Sequence, residues 1–149
     1  MTLSTSGKRR FFLSPVTSFM ESTRMRFVKE TLIKATPEKV FAFHELPDAL
    51  ARLMPPWDKS EIVQAAPSLE VGSRTIINAA VFGPIKARWV AEHTAYDPPR
   101  MFEDTQLEGP FTSWTHRHNI LPDAQGAILR TAVSAIWPAG GTDFDYPKA

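Results

Sequence analysis

The chain has 149 residues, of which 43% are hydrophobic and 22% charged, and its formal net charge is +1. This length and this balance fit one globular domain with an ordinary core, and they exclude a disordered or fibrous chain. Because the chain has no cysteine, disulfide scaffolds, thiolate nucleophiles, zinc fingers and iron–sulfur clusters are excluded as well. Any catalysis would therefore rest on His, Asp, Glu, Ser, Tyr or Lys.

The positive charge is concentrated at the N-terminus. Residues 1–25 hold four basic residues against one acidic residue, which leaves the rest of the chain net negative. A phosphate backbone needs an electropositive face, so we expect no nucleic-acid partner. No apolar run approaches the roughly 20 residues needed to cross a bilayer, and we expect no membrane span.

The first residues are interpreted as a segment outside the domain. A basic triplet at residues 8–10 precedes an apolar triplet at residues 11–13, but Pro15 interrupts the apolar stretch and no small-x-small cleavage site follows. This pattern argues against a secretory signal peptide and predicts a cytoplasmic location. Residues 1–24 are expected to be a disordered leader or the product of a mis-assigned start codon.

The domain is predicted to open with a strand and two short helices. Residues 26–35 alternate side-chain character and are rich in β-branched residues, which is typical of a strand. Thr36 can cap a helix whose first residue is Pro37. A second short helix is predicted from Pro47, and the consecutive prolines within residues 54–57 end it.

Six further strands are predicted in the rest of the domain. Turn residues punctuate this part of the chain at intervals of about ten, the spacing of an antiparallel meander. Neither GxGxxG nor GxxxxGK[ST] occurs, so no phosphate-cradling loop is predicted. The order of elements predicts an α+β fold with one antiparallel sheet of about seven strands. The six strands are expected near residues 59–66, 73–82, 85–96, 101–108, 111–121 and 127–136.

Three stretches of sequence carry a resemblance to a known superfamily. They are "TPEKVFAFHELPDALARLMPPW", "GPIKARWVAEHTAYDPPRMFEDTQLEGPFTSWTHRH" and "GAILRTAVSAIWP". With the predicted order of elements, they resemble the SRPBCC superfamily, also called START-like or Bet v 1-like. The similarity is to its polyketide cyclase/dehydrase or coenzyme-Q-binding-type branch, whose members are sometimes joined to sugar-nucleotide epimerase-like proteins.

The resemblance covers residues 26–138, and we assign the START-like domain to residues 25–138. It implies a helix-grip fold, in which a curved antiparallel sheet wraps around a long C-terminal helix. It also implies a deep apolar cavity between the sheet and that helix. Many proteins of this kind bind lipids, polyketides or quinones without catalysing a reaction.

The chain departs from the family pattern at its C-terminal end. After Trp137-Pro138 only "AGGTDFDYPKA" follows, and a segment with adjacent glycines and Pro147 cannot form the expected helix of about 20 residues. We expect residues 139–149 to be a disordered tail and the grip helix to be missing, with truncation of the gene as the favoured cause. The alternatives are that a second copy or a partner chain covers the open sheet, or that residues 1–24 fold back onto it.

The stretch "SWTHRHNI" at residues 113–120 places two histidines one residue apart in a predicted strand. Side chains alternate between the two faces of a strand, so Trp114, His116, His118 and Ile120 share one face. The tryptophan and the isoleucine indicate that this is the inner face. Both histidines are therefore expected to face the cavity.

A metal site on these histidines is not favoured. His116 and His118 could supply two imidazoles and His93 a third, but the spacing fails the cupin motif that would be the nearest all-β template. We expect no metal and no cofactor. For acid–base chemistry the cavity offers imidazoles and one carboxylate, but no nucleophile elbow or carboxylate pair is recognisable. The candidates are His116, His118, His93 and Asp104, with Tyr96 and Arg88 as possible partners.

A set of aromatic and histidine side chains is predicted to line the cavity. Aromatic residues also fill ordinary cores, so only the resemblance raises the cavity interpretation above that default. His44, alone on the first helix, is expected to be a partly exposed polar residue. The predicted lining residues are Phe41, Trp57, Trp89, His93, Phe102, Phe111, Trp114, His116 and His118.

The leading hypothesis is that the domain binds a hydrophobic small molecule, a lipid, quinone or polyketide-like compound, without catalysis. One alternative is an aromatase/cyclase or dehydratase-like enzyme in which His116 and His118 are the catalytic candidates. Another is an interaction module that docks on an epimerase-like partner. The sequence leaves these alternatives open.

Overall fold

The computed structural model of the chain describes residues 23–82 and 85–138. Its elements follow the predicted order of one strand, two short helices and six strands. The predicted leader, the predicted tail and the predicted absence of a C-terminal helix all fall outside the described residues, apart from Thr23 and Arg24. The elements are β1 (Arg24–Ile33), α1 (Pro37–His44), α2 (Ala49–Leu53), β2 (Glu61–Gln64), β3 (Arg74–Phe82), β4 (Ile85–Asp97), β5 (Met101–Glu108), β6 (Ser113–Asp123) and β7 (Gly126–Ile136).

The seven strands of the described residues form one antiparallel sheet in the order β1-β7-β6-β5-β4-β3-β2. β1 pairs with β7 along its whole length, from Arg24 opposite Ile136 to Ile33 opposite Ala127. Because β1 and β2 are the two edges of the sheet, the chain passes from one edge to the other through α1 and α2. The predicted α+β fold, with seven antiparallel strands and two short helices after the first, is confirmed.

The start of α1 and the end of α2 lie at the residues that carry the predicted signals. The side chain of Thr36 accepts a hydrogen bond from the Lys39 amide at 3.5 Å, and Pro37 occupies the first turn of α1. α2 is shorter than predicted, because it begins at Ala49 and has an extended residue, Met54, at its C-terminal cap. The residue before a proline is biased toward extended backbone, which accounts for this end.

A bulge in β4 changes which side chains of that strand face inward. The pairing of β4 with β5 places His93 opposite Asp104 and Tyr96 opposite Phe102, with a shift in register between His93 and Ala95. An extra residue on one strand reverses the alternation of faces beyond it. Tyr96 therefore shares a face with His93, although a strict period of two along β4 would place these two side chains on opposite faces.

The core lies where α1 packs on the sheet. Phe41 is 2% exposed, and its ring meets Phe102 edge-on with centroids 5.8 Å apart. Edge-to-face pairs of this kind add to the free energy that apolar burial supplies. The buried members of this cluster are Val40, Phe41, Leu69, Phe102, Ile120 and Ala127.

The start of β7 needs a glycine because it passes very close to the end of β1. Gly126 has φ +146°, and a Cβ atom on it would meet the carbonyl oxygen of Ile33 and the amide nitrogen of Ala35. Only glycine accepts both the positive φ and the close approach. This contact brings β7 against β1 at the point where the chain turns toward α1.

β1 exposes apolar side chains on both faces. Phe27, Val28 and Leu32 are 51%, 40% and 45% exposed, and Phe27 lies opposite Val133 while Val28 lies opposite Ala132. An edge strand with apolar side chains is a surface on which another chain can pair or pack. That a partner chain or a second copy covers the open sheet stays a prediction.

Two adjacent residues of β6 should differ sharply in their contribution to stability. Ile120 is 1% exposed in the core, whereas Leu121 on the other face is 43% exposed. We expect Ile120→Ala to lower the free energy of unfolding by about 2–5 kcal/mol and Leu121→Ala to change it by about 0.5 kcal/mol. Urea denaturation of both variants measures the difference, and equal losses would contradict this placement of the core.

Candidate functional site

A large cavity lies between the inner face of the sheet and the two helices. Its volume is about 1100 Å³, and its lining is mostly apolar. Side chains from β3, β4, β5, β6 and β7 form the wall on the sheet side, while His44, Ala49 and Leu50 contribute from the helices. Trp57, which is 77% exposed, lies at the rim.

The register of the strands explains why the residues of "SWTHRHNI" line this cavity. Trp114, His116 and His118 lie opposite Ala135, Val133 and Thr131 of β7. Directly opposite residues in an antiparallel pair share a face. The tryptophan and the two histidines lie in the cavity lining, on the face that the alternation of β6 predicted.

The structure brings together all but one of the predicted lining residues. Phe41 lies outside the lining, in the core between α1 and the sheet, where it contacts Tyr96 and Phe102. The others lie in the lining: Trp57, Trp89, His93, Phe102, Phe111, Trp114, His116 and His118.

One part of the wall is aromatic. Trp89 of β4 meets Trp114 of β6 with ring centroids 4.9 Å apart, and it meets Phe111 at 5.5 Å. Phe111 in turn contacts Trp137 at 4.4 Å. These rings offer broad flat surfaces on which an apolar or aromatic ligand can stack.

Another part of the wall is built from the four histidines of the chain, His44, His93, His116 and His118. The rings of His116 and His118 are 4.3 Å apart, and His44 is 5.5 Å from His118. The ring of His118 also stacks on Phe102 at 4.6 Å. We call these four residues the histidine cluster.

His44 is not among the predicted lining residues, although it completes the cluster. It lies in the last turn of α1, and its Nδ1 donates a hydrogen bond to the carbonyl of Val40 at 2.8 Å. Val40 is buried and lies four residues earlier, so both share one side of the helix. The four-residue spacing from Val40 was the sequence signal that could have placed His44 on the inner side of α1. Only the docking of α1 over β6 brings His44 against His118.

Each of the other histidines has a different polar environment. Nδ1 of His116 lies 3.5 Å from Oδ1 of Asp104, and both side chains are mostly buried. Nδ1 of His118 lies 3.2 Å from the hydroxyl of Thr131. His93 is 8% exposed, and its buried Nδ1 has no hydrogen-bond partner within the described part of the chain.

Burial keeps two of these imidazoles uncharged. Burial, together with the neighbouring His116, His44 and His93, lowers the pKa of His118 to about 2. Burial also lowers the pKa of His44, although its hydrogen bond to Val40 acts in the opposite direction. His44 and His118 therefore present neutral rings at the cavity wall.

Within residues 23–82 and 85–138, no group of three or more His, Cys, Asp or Glu side chains could hold a metal ion. None of the helices in the same residues is long and apolar enough to span a membrane.

The uncharged state of His118 should make stability depend on pH. Its pKa is about 2 in the folded protein against 6.5 for a free histidine, so between these values the unfolded chain binds more protons. Stability is then fully present above pH 6.5 and is lost as the pH falls below it.

We expect one such histidine to lower the free energy of unfolding by about 2 kcal/mol between about pH 6.5 and pH 5. Urea denaturation at the two pH values measures this loss. His118→Phe removes the titrating group but keeps a ring against Phe102, so it should weaken the dependence. An equally steep loss in the variant would count against a neutral His118.

Solved structures of other proteins share this fold. Norcoclaurine synthase from Thalictrum flavum superposes with a TM-score of 0.61 at 12% identity, over 79% of each chain. A protein of unknown function from Staphylococcus aureus gives 0.63 at 13% identity, over 85% of this chain and 78% of that one. At these identities the likeness shows the fold alone.

A nucleoside-diphosphate sugar epimerase from Corynebacterium glutamicum gives a TM-score of 0.63 at 25% identity. The match covers 72% of this chain but 24% of the epimerase, so the chain spans about a quarter of that protein's length. No curated protein matches the chain.

A family model agrees with the fold and with the resemblance inferred from the sequence. The model for "Polyketide cyclase / dehydrase and lipid transport" matches residues 33–140, which is most of the chain. The predicted resemblance to SRPBCC-type, Bet v 1-like proteins is thereby confirmed. The protein belongs to the polyketide cyclase/dehydrase and lipid transport family.

Proposed function

We propose that the protein binds a hydrophobic small molecule in the cavity between its sheet and its helices. The observation that carries this proposal is a cavity of about 1100 Å³ with a mostly apolar lining. Protein interiors are close-packed and contain few voids larger than a water molecule, so a space of this size is not a packing defect. Ligand sites are commonly concave and mostly apolar, as this one is.

The energetics favour an apolar occupant. A ligand that buries about 300 Å² of apolar surface gains roughly 7 kcal/mol from leaving water, before the entropic costs of binding are subtracted. The aromatic wall formed by Trp89, Phe111 and Trp114 adds stacking surface for a planar molecule. The family description, which includes lipid transport, supports the same class of ligand.

Lipid, quinone and polyketide-like ligands all belong to this proposal. The cytoplasmic location and the absence of a cofactor, both expected from the sequence, stay predictions.

Filling the cavity should abolish binding without unfolding the protein. Ala91 lies in the lining on β4 between Trp89 and His93, whereas Ala124 is exposed in the β6–β7 turn. After incubation with a lipid and quinone extract, native mass spectrometry should find a bound small molecule on the wild-type chain and on Ala124→Phe. Ala91→Phe should lose that molecule, because the new ring occupies the space. Repeated recovery of empty, folded wild-type protein would contradict the proposal.

A second candidate function is catalysis of an aromatase/cyclase or dehydratase type. The observation that favours it is the approach of Asp104 to Nδ1 of His116, at 3.5 Å in the cavity wall. A carboxylate behind an imidazole orients the ring and stabilises the imidazolium that forms when the ring accepts a proton. His116 could then remove a proton from a substrate held against the aromatic wall.

This second function makes its own prediction. His116→Ala and His118→Ala should lower the rate of cyclisation or dehydration of a poly-β-ketone substrate by at least about 100-fold, the usual scale of general acid–base catalysis. Circular dichroism and ligand titration should show an intact fold and retained binding in both variants. Turnover equal to wild type in the two variants would remove the histidines as catalytic groups.

A third possibility is an interaction module for an epimerase-like protein. It is supported by the match to about a quarter of a sugar epimerase and by the exposed apolar residues of β1, Phe27, Val28 and Leu32. The native mass spectra described above also test it when an epimerase-like protein is added. A stoichiometric complex would support docking, and separate chains at micromolar concentration would count against it.

A further inference from the structure

Cationic side chains are nearly absent from the described lining of the cavity. Apart from the histidine cluster, the charged side chains in the lining are Glu45, Asp58, Lys59 and Asp104. Lys59 is exposed and precedes β2, which lies two strands away from β4, the nearest strand that carries a histidine. Within the described lining, no arginine and no other lysine accompanies the cluster.

His44 presents a hydrogen-bond acceptor to the cavity. The carbonyl of Val40 can only accept, so Nδ1 of His44 must carry the hydrogen in the bond that joins them at 2.8 Å. In a neutral imidazole the other nitrogen, Nε2, is then a lone-pair acceptor. No other hydrogen bond to His44 exists within the described residues, so Nε2 is available.

Nε2 is the acceptor nitrogen of His116 as well, but for a different reason. The carboxylate of Asp104 lies 3.5 Å from Nδ1, which favours a hydrogen on that nitrogen and leaves Nε2 as an acceptor. With the carboxylate of Asp104 beside it, His116 supplies no net positive charge for a ligand.

A carboxylate or phosphate head would therefore be poorly held at the histidine cluster. It would lose its hydration, would find neutral rings at His44 and His118, and would approach the carboxylate of Asp104. A hydroxyl group is held better at the histidine cluster. It donates its hydrogen to an imidazole nitrogen and carries no charge that would lose its hydration.

We propose that the ligand is an uncharged molecule with an apolar, ring-bearing body and a hydroxyl donor, which the acceptor nitrogens of His44 and His116 bind, rather than a fatty acid or a phospholipid. This inference rests on the proposed binding function. The body of the ligand lies along Trp89 and Trp114, and its hydroxyl group faces the histidine cluster. It deepens the proposed function by naming the ligand's polar group.

Three fluorescent probes with one apolar body test this inference. They are 1-pyrenemethanol, which carries a hydroxyl donor, 1-methylpyrene, which carries none, and 1-pyrenecarboxylic acid, which is an anion at neutral pH. We expect 1-pyrenemethanol to bind the protein about tenfold more tightly than either of the others, a difference of about 1.4 kcal/mol. Fluorescence titration gives the three dissociation constants.

Matched variants locate the source of the preference. His44→Phe and His116→Phe keep a ring of similar size but remove the acceptor, so each should reduce the preference for the hydroxyl probe several-fold while 1-methylpyrene still binds. Trp114→Phe is the control, because it changes the apolar wall next to His116 without removing an acceptor. It should weaken the binding of all three probes by a similar factor and leave the ratios of their dissociation constants unchanged.

The outcomes separate this inference from the proposed function. If all three probes bind the wild-type protein equally, or the carboxylate binds best, the hydroxyl preference is overturned while binding in the cavity stands. If the preference persists in both His→Phe variants, the assignment to these nitrogens is overturned. If none of the probes binds, both the inference and the proposed function are overturned.

Discussion

The packing of α1 on the inner face of the sheet is the contact on which the rest of the structure depends. Phe41 anchors this helix by meeting Phe102 edge-on and Tyr96 at the same separation, 5.8 Å in both cases. With the ring of Phe41 buried, the last turn of α1 is held over β6, which brings His44 to His118. The helix thus closes one end of the concave face and supplies a histidine to the cavity beyond it.

The same arrangement divides the inner face into a filled part and an open part. Around Phe41, Ile120 and Ala127 the side chains are buried and form the core. Beyond Phe102 the side chains of the sheet line the space without filling it, and a cavity of about 1100 Å³ is left. Apolar walls that enclose unfilled space forgo dispersion contacts, so an occupant of the right shape recovers them. This division of the inner face is the physical basis of the ligand binding that we propose.

The polarity of the cavity wall restricts the class of ligand that we propose. Cationic side chains, which bind the anionic heads of many lipids, are absent from the described wall around the histidine cluster. Neutral imidazoles take their place, because burial lowers the pKa of His118 and His44. Asp104, close to His116, adds a negative charge to the same region. These features favour an uncharged donor over an anion, and they also leave room for proton transfer by His116.

Alternation and turn signals were enough to predict the sheet, the two helices and the inward face of β6. A period of two is a local property of extended backbone, so Trp114, His116 and His118 could be placed together from their spacing alone. The face that Tyr96 occupies does not follow from a period of two, because the bulge in β4 arises from pairing with β5. Phe41 was predicted in the cavity lining but lies in the core, because the burial of a helix side chain depends on how that helix packs on the sheet.

By itself, the sequence determined the order of the elements, the capped start of α1 at Thr36 and the family resemblance, because each depends on residues close together in the chain. Only the tertiary structure decided that all four histidines of the chain line one cavity, that Asp104 faces His116 and that no arginine lies in the described lining. These residues come from α1, β4, β5 and β6, and their distances follow from strand register and helix docking. Such relations are set by long-range packing, which local spacing does not specify.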